Sequence, residues 1–207
     1  MCGRYAVFDE EDNLVIRKII QEIDEKFAGT PEREEMQTGE IFPTNIAPVL
    51  LPTAQGGIRA VPLKWGFPRF NNPGVVINVR QETVGTKNMF RSSFATRRCV
   101  IPASGFFEWK ETGTPTKKKD KYLLRLPHVS VMYMAGLYNV FTDSKTGRRY
   151  GAFVILTTQA NHYMEKIHDR MPVILSQENL SIWLFNHQEA GTLLGEEGPL
   201  LVAGLVA

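Results

Sequence analysis

Between Cys99 and Leu156 the chain runs through Cys99-Val100-Ile101, Phe106-Phe107-Glu108-Trp109, Tyr122-Leu123-Leu124-Arg125-Leu126, Val131-Met132-Tyr133-Met134-Ala135-Gly136-Leu137-Tyr138 and Tyr150-Gly151-Ala152-Phe153-Val154-Ile155-Leu156. These short apolar runs are rich in β-branched and aromatic residues and bounded by Gly, Pro, Ser or charged residues, which is the pattern of strands. A β-rich centre follows. Upstream, from Ile41 to Val79, Pro43, Pro48, Pro52, Gly56-Gly57, Pro62, Pro68 and Pro73-Gly74 break the apolar runs, so further short strands with tight turns are expected. From Asp12 to Phe27 the period changes: Ile16, Ile19, Ile20, Ile23 and Phe27 recur at offsets of three and four, with Arg17, Lys18, Glu22 and Lys26 between them. This predicts an amphipathic helix, stopped by Gly29-Thr30-Pro31. The acidic run from Glu32 to Glu35 reads as a solvated loop or a short helical turn. A second helical patch spans Thr86 to Phe94; Thr157 and Thr158 are suited to cap a short helix through Met164, and Ser176 another through Trp183 and Phe185. No repeat, low-complexity tract or linker divides residues 1–207, so the expectation is one α+β domain with many antiparallel strands and peripheral helices.

With 43% hydrophobic residues in 207, the chain can bury a core without disulfides or a structural metal, which excludes intrinsic disorder. Its longest uncharged apolar stretch, Gly198 to Ala207, is too short for a bilayer that needs about 20 such residues, so no membrane span is expected. The start, Met1-Cys2-Gly3-Arg4-Tyr5 followed by Asp9, Glu10, Glu11 and Asp12, has neither the basic head nor the apolar centre of a secretion signal, which predicts a cytoplasmic protein. Cys2 and Cys99 are then expected as free thiols. A net charge of +2 fits nucleic acid, peptide or small molecule equally, so local charge must decide the partner.

Cys2 follows Met1 and is small enough for the initiator to be removed. A chain beginning with Cys carries an amine of pKa about 8 two carbons from a thiol near 8.5. Such a pair can act as a nucleophile with its own amine as base, or condense with an aldehyde to a thiazolidine ring; otherwise Cys2 has no role. Asn78 and Arg80, two apart on a strand, face one side and offer an amide and a phosphate-binding fork, unless they only cap a strand end. Glu108 lies among Phe106, Phe107 and Trp109: pointing inward it would be a general acid or base, pointing outward a surface carboxylate. His168-Asp169-Arg170 sets a proton carrier beside a guanidinium. His128, His162 and His187 have no comparable neighbours, and no His/Cys spacing suggests zinc; no metal or cofactor is expected.

Taken in order, Met1-Cys2-Gly3-Arg4-Tyr5, Thr44-Asn45-Ile46-Ala47-Pro48, Lys64-Trp65-Gly66-Phe67, Ile77-Asn78-Val79-Arg80-Gln81-Glu82-Thr83, Gly105-Phe106-Phe107-Glu108-Trp109 and Ile167-His168-Asp169-Arg170-Met171-Pro172 resemble the SOS-response-associated peptidase (SRAP) family, abasic-site shields. The resemblance runs from residue 2 to about residue 185 and implies a barrel-like antiparallel core. It also implies that Cys2, freed of Met1, forms a thiazolidine with the ring-opened abasic site in single-stranded DNA, reversibly, with Asn78, Glu108 and His168 as the other catalytic residues and autocatalytic or peptidase activity as a companion. Arg4, Arg80 and Arg170 match family arginines that contact phosphates. Phe70 and Trp109, with Trp65 and Phe67 as further candidates, offer stacking surfaces. The implied partner is single-stranded DNA with abasic sites, met by a monomer in the cytoplasm and at the nucleoid during DNA damage. The chain departs from the family where Pro68-Arg69-Phe70-Asn71-Asn72 replaces a Trp pair, so that a strand-separating wedge is either weaker or built around Phe70, and at Leu205-Val206-Ala207, which lack the longer family tail. Lys117-Lys118-Lys119-Asp120-Lys121 reads as a solvated hairpin turn, with contact to distal phosphates as the alternative, and Cys99 as a buried apolar residue.

Overall fold

The computed structural model describes residues 2–11, 13–70, 72–111 and 119–206. In chain order its elements are β1 (Arg4–Val7), α1 (Leu14–Phe27), α2 (Pro31–Glu34), β2 (Gly39–Ile41), β3 (Ile46–Pro52), β4 (Ile58–Trp65), β5 (Phe67–Pro68), β6 (Val75–Val76), β7 (Asn78–Arg80), α3 (Asn88–Thr96), β8 (Arg98–Ala103) and β9 (Gly105–Glu111). They continue with β10 (Lys119–Arg125), β11 (Met132–Thr142), β12 (Arg149–Gln159), β13 (Arg170–Pro172), β14 (Ile174–Leu175), α4 (Leu180–Phe185) and β15 (Val202–Val206). Each of the central apolar runs is a strand, β8 to β12.

Five strands close a ring. β8 pairs with β3 and β11, β11 with β12, β12 with β4, and β4 with β3. Only the β12 to β4 seam of this barrel is parallel. Closure depends on the length of β11 and β12, 11 residues each, which lets β12 pair with β4 and then β7 along one edge and with β11 and then β13 along the other. Ala152–Phe153 meet Lys64–Trp65, Ile155–Thr157 meet Asn78–Arg80, and Thr157–Gln159 meet Pro172–Arg170. A strand covered on both faces is apolar throughout, and Ala152 to Leu156 are fully buried. This corrects the helix expected after Thr157 and Thr158: both lie inside β12, where β-branched residues fit the pleat, and residues 161–167 form turns.

A second antiparallel sheet has the order β15-β10-β9-β1-β2. The C-terminal residues supply its edge, since β15 pairs with β10 from Val202 to Val206. Helix α1 turns Ile16, Ile19, Ile20 and Ile23 inward. Its N-cap is Asn13, whose Oδ1 accepts from the Ile16 N–H at 3.3 Å; Asp12, at the expected start, lies outside the described residues. The acidic run is the short helix α2, capped by Thr30. Helix α3 begins at Asn88, two residues later than expected, and α4 at Leu180, because Ser176 Oγ caps the preceding turn by accepting from the Asn179 N–H. Cys99 is fully buried, as expected.

Gly66 joins β4 to β5 with φ +121°, and its N–H donates to the Phe153 carbonyl at 2.8 Å. A Cβ there would lie 2.7 Å from Val75 Cγ2. Gly66→Ala therefore meets both a backbone penalty and an overlap, and is expected to lower the unfolding free energy in urea by about 2 kcal/mol or more. A loss below about 0.5 kcal/mol would show that the Phe67–Val76 hairpin yields freely.

Candidate active site

Strand pairing brings three distant segments to one place. Cys2 precedes β1, which lies beside β9 with Arg4 opposite Phe107, so Glu108 sits close to the start of the chain. Asn78 opens β7 and His168 precedes β13, and both strands lie on β12. The side-chain amide of Asn78 donates to the Cys2 carbonyl at 2.7 Å. The Glu108 carboxylate lies within electrostatic reach of both the Cys2 thiol and His168. The structure thus gathers Cys2, Asn78, Glu108 and His168.

Their environments differ. Cys2 is wholly buried, with Sγ 3.6 Å from the Arg4 carbonyl. Burial, and secondly the negative charge of Glu108, push its thiol far above the usual range. Glu108 points inward and is 3% exposed; burial raises its carboxyl, against nearby positive charge that includes His168. His168 Nδ1 accepts the Arg170 backbone N–H at 3.0 Å, which leaves a neutral ring with its proton on Nε2. The same Nδ1 lies 2.8 Å from Asp169 Oδ1, a bond it donates only when Nδ1 carries a proton. Asn78 Oδ1 is buried and has no hydrogen-bond partner among the described residues. His168 and Trp109 line a cleft of about 410 Å³ together with Lys119 and Lys166. No group of three or more His, Cys, Asp or Glu among the described residues could hold a metal ion, and no helix is long and apolar enough to cross a membrane.

The expected arginine-lined face is built differently. Arg80 is exposed, at the end of β7. Arg170 is 8% exposed and its guanidinium is engaged inside the protein: Nη1 and Nη2 donate to Glu82 at 2.7 and 3.0 Å, and Nη2 to the Thr157 carbonyl at 2.7 Å. Arg4 donates to Glu40 at 2.9 Å and lies 3.7 Å from the centre of the Phe42 ring. Trp65 and Phe67 are fully buried, Trp65 donating to the Ile77 carbonyl at 3.0 Å, so neither offers a stacking surface. Phe70 is 79% exposed, and Trp109 is half-buried beside Arg4. Of the lysine run, Lys117 and Lys118 lie outside the described residues; Lys119 to Lys121 are strand, not turn, with Lys119 paired to Glu111 and Lys121 to Glu40. The sequence reading gave Glu82 and Glu40 no role. Their partners stand 88 and 36 positions away, a pairing that no local pattern signals.

A barrel flanked by a sheet whose first strand is preceded by a buried Cys next to the start, held by an amide and facing a buried carboxylate, defines a recognisable class. The chain belongs to the SOS response associated peptidase (SRAP) family, whose model matches residues 1–197. Among its relatives, "Abasic site processing protein YoqW" of Bacillus subtilis is 33% identical over 190 residues, covering 89% of this chain and 80% of that protein. "Abasic site processing protein YedK" of Escherichia coli is 30% identical over 190 residues, with 89% and 79% covered. A solved protein from Bacteroides thetaiotaomicron shares the fold at a TM-score of 0.78 and 22% identity, covering 100% of this chain and 92% of that one.

Proposed function

We propose that this protein processes abasic sites in single-stranded DNA by linking Cys2, once Met1 has been removed, to the ring-opened deoxyribose. The amine of Cys2 adds to the C1′ aldehyde and the carbinolamine loses one water to give an iminium. The thiol sulfur then adds to that carbon, its proton leaves to a base, and the nitrogen keeps the remaining proton in a thiazolidine. The observation that carries this reading is the bond from Asn78 to the Cys2 carbonyl, with Glu108 buried alongside. It fixes from its own backbone the residue that would head the mature chain. A carboxyl raised by burial keeps its proton to higher pH than an ordinary carboxylate, and can give it to the departing hydroxyl and take the thiol's. His168, whose Nδ1 meets the Arg170 N–H and the Asp169 carboxylate, can serve ring opening or reversal. Arg80 is the exposed cation for a phosphate, and Phe70 the exposed ring for a base. The same groups support removal of Met1 or a narrow peptidase activity.

The test is mass spectrometry under denaturing conditions after incubation with a single-stranded oligonucleotide carrying one abasic site. The expected adduct equals protein without Met1 plus DNA minus one water. A protein with a confirmed Cys2 terminus that forms no adduct refutes the reading; turnover of a chromogenic amide would then indicate an amidohydrolase, and retained strand binding alone a non-catalytic binder.

A further inference from the structure

Four neighbouring strands carry a cluster that the reaction above does not use. Glu40 is on β2, Arg4 on β1, Phe107 and Trp109 on β9, and Lys121 on β10, with Arg4 opposite Phe107 and Lys121 opposite Trp109. One Glu40 oxygen accepts from Arg4 Nη1 at 2.9 Å and from Lys121 Nζ at 2.7 Å, and the other from Lys121 at 2.9 Å. Beyond the phosphate contact that the family resemblance implies for Arg4, we propose that Lys121 joins Arg4 in a phosphodiester subsite whose resident anion is the Glu40 carboxylate, displaced when a nucleic-acid backbone binds. This rests on the single-stranded DNA reading and adds a competitor to it.

Three features separate this cluster from an ordinary surface ion pair. First, the charges do not balance. Two cations share one carboxylate, and Arg4 Nε has no hydrogen-bond partner among the described residues, so donor capacity is left over. Burial opposes ionisation of Glu40, but hydrogen bonds from Lys121 and Arg4 win and hold its carboxyl below the usual range. Second, the cations do not depend on Glu40 for their placement. Arg4 is stacked 3.7 Å from the Phe42 ring and Lys121 lies 4.3 Å from that of Phe107, with Trp109 flanking both. Aromatic faces would keep them in place when the carboxylate swings away. Third, the cluster is open and continuous with the site. Arg4, Lys121 and Glu40 side chains are 25%, 25% and 28% exposed, and Trp109 also lines the cleft that holds His168. A phosphodiester presents two non-bridging oxygens, as a carboxylate does, and partly exposed pairs of this kind contribute little, so the exchange is close to balanced.

Binding of undamaged oligothymidine, read by fluorescence anisotropy across a salt series, tests the proposal. Glu40→Gln is expected to bind about 3- to 10-fold tighter at low salt, with a log K against log salt slope steeper by about 0.7. Lys121→Met placed in the Glu40→Gln chain should remove most of that gain. Lys121→Met alone, which keeps the Arg4–Glu40 pair, should bind several-fold more weakly with a shallower slope, and this arm stands if Glu40→Gln folds poorly. Unchanged or weaker binding by a Glu40→Gln chain that melts like the wild type would make Glu40 a purely structural partner and overturn the proposal. If the wild type forms the abasic-site adduct but Glu40→Gln binds no tighter, only this inference falls; if the wild type neither binds the oligomer nor forms an adduct, both fall.

Discussion

Cys2→Ala is expected to abolish the covalent adduct, and Glu108→Gln to slow its formation by about 10²- to 10⁴-fold, the range that a positioned acid or base contributes. The two substitutions remove different things. Cys2→Ala takes away the sulfur that closes the ring and leaves the amine. Such a chain can still form an imine, which borohydride traps and ordinary denaturation does not preserve. One small buried atom is lost, so the stability cost is about 1 kcal/mol and an absent adduct is not a sign of unfolding. Glu108→Gln keeps the shape and the hydrogen-bonding capacity but cannot exchange a proton. Because burial raises the Glu108 carboxyl, its acid form extends toward neutrality, and the wild-type rate should carry a limb that falls as pH rises through the raised value. The Gln variant should lack that limb. Equal rates at every pH would make Glu108 a packing residue only.

The same shift has a consequence for stability, with the opposite advantage. A carboxyl whose folded pKa lies above its unfolded value binds protons more tightly when folded, so the wild type loses stability as pH rises between the two values. Glu108→Gln has no such loss. The variant should therefore gain on the wild type as pH rises through that window.

How much of this was legible beforehand depended on whether the signal was local. The strands β8 to β12 and helix α1 follow from runs and periods within a few residues of one another. The extent of β12 does not: Thr157 and Thr158 are plausible caps until β7 and β13 are seen on either side of them. Cys2 and Glu108 stand out by their chemistry taken together with the family resemblance, but the inward direction of Glu108 depends on β9 lying between β1 and β10. The arginines were the least legible. A guanidinium reads alike in sequence whether it meets solvent or a carboxylate, and the carboxylates that engage Arg4 and Arg170 come from β2 and from the turn after β7. Net charge near zero is consistent with both arrangements. What distinguishes them is exposure: Arg80 lies exposed at the end of β7, whereas Arg4 and Arg170 donate to carboxylates of the protein itself.

Glu82→Ala is expected to destabilise the protein by about 2 to 4 kcal/mol, because it leaves the Arg170 guanidinium buried with only the Thr157 oxygens to accept from it. Glu82 itself is 42% exposed, so the figure sits toward the lower end of what breaking a buried pair costs. Arg170 is the better enclosed partner at 10%, and it takes both Glu82 oxygens in a fork that Lys cannot reproduce, so Arg170→Lys should not restore stability. The pair ties the turn that follows Asn78 and Arg80 to the strand that follows His168. Two walls of the site are thereby fixed to each other through Thr157 of β12. Salt dependence separates this clamp from a DNA contact. A clamp predicts that Arg170→Met and Glu82→Ala both lower the melting temperature by several degrees and slow adduct formation, with the salt slope of strand binding unchanged. A phosphate-binding Arg170 predicts a slope shallower by about 0.7 in Arg170→Met and tighter binding in Glu82→Ala, where the guanidinium is released. Here the contrast with Glu40 is instructive: Arg4 is held by Phe42 when its carboxylate leaves, whereas Arg170 has no ring beneath it among the described contacts, so removing Glu82 costs structure where removing Glu40 frees a cation.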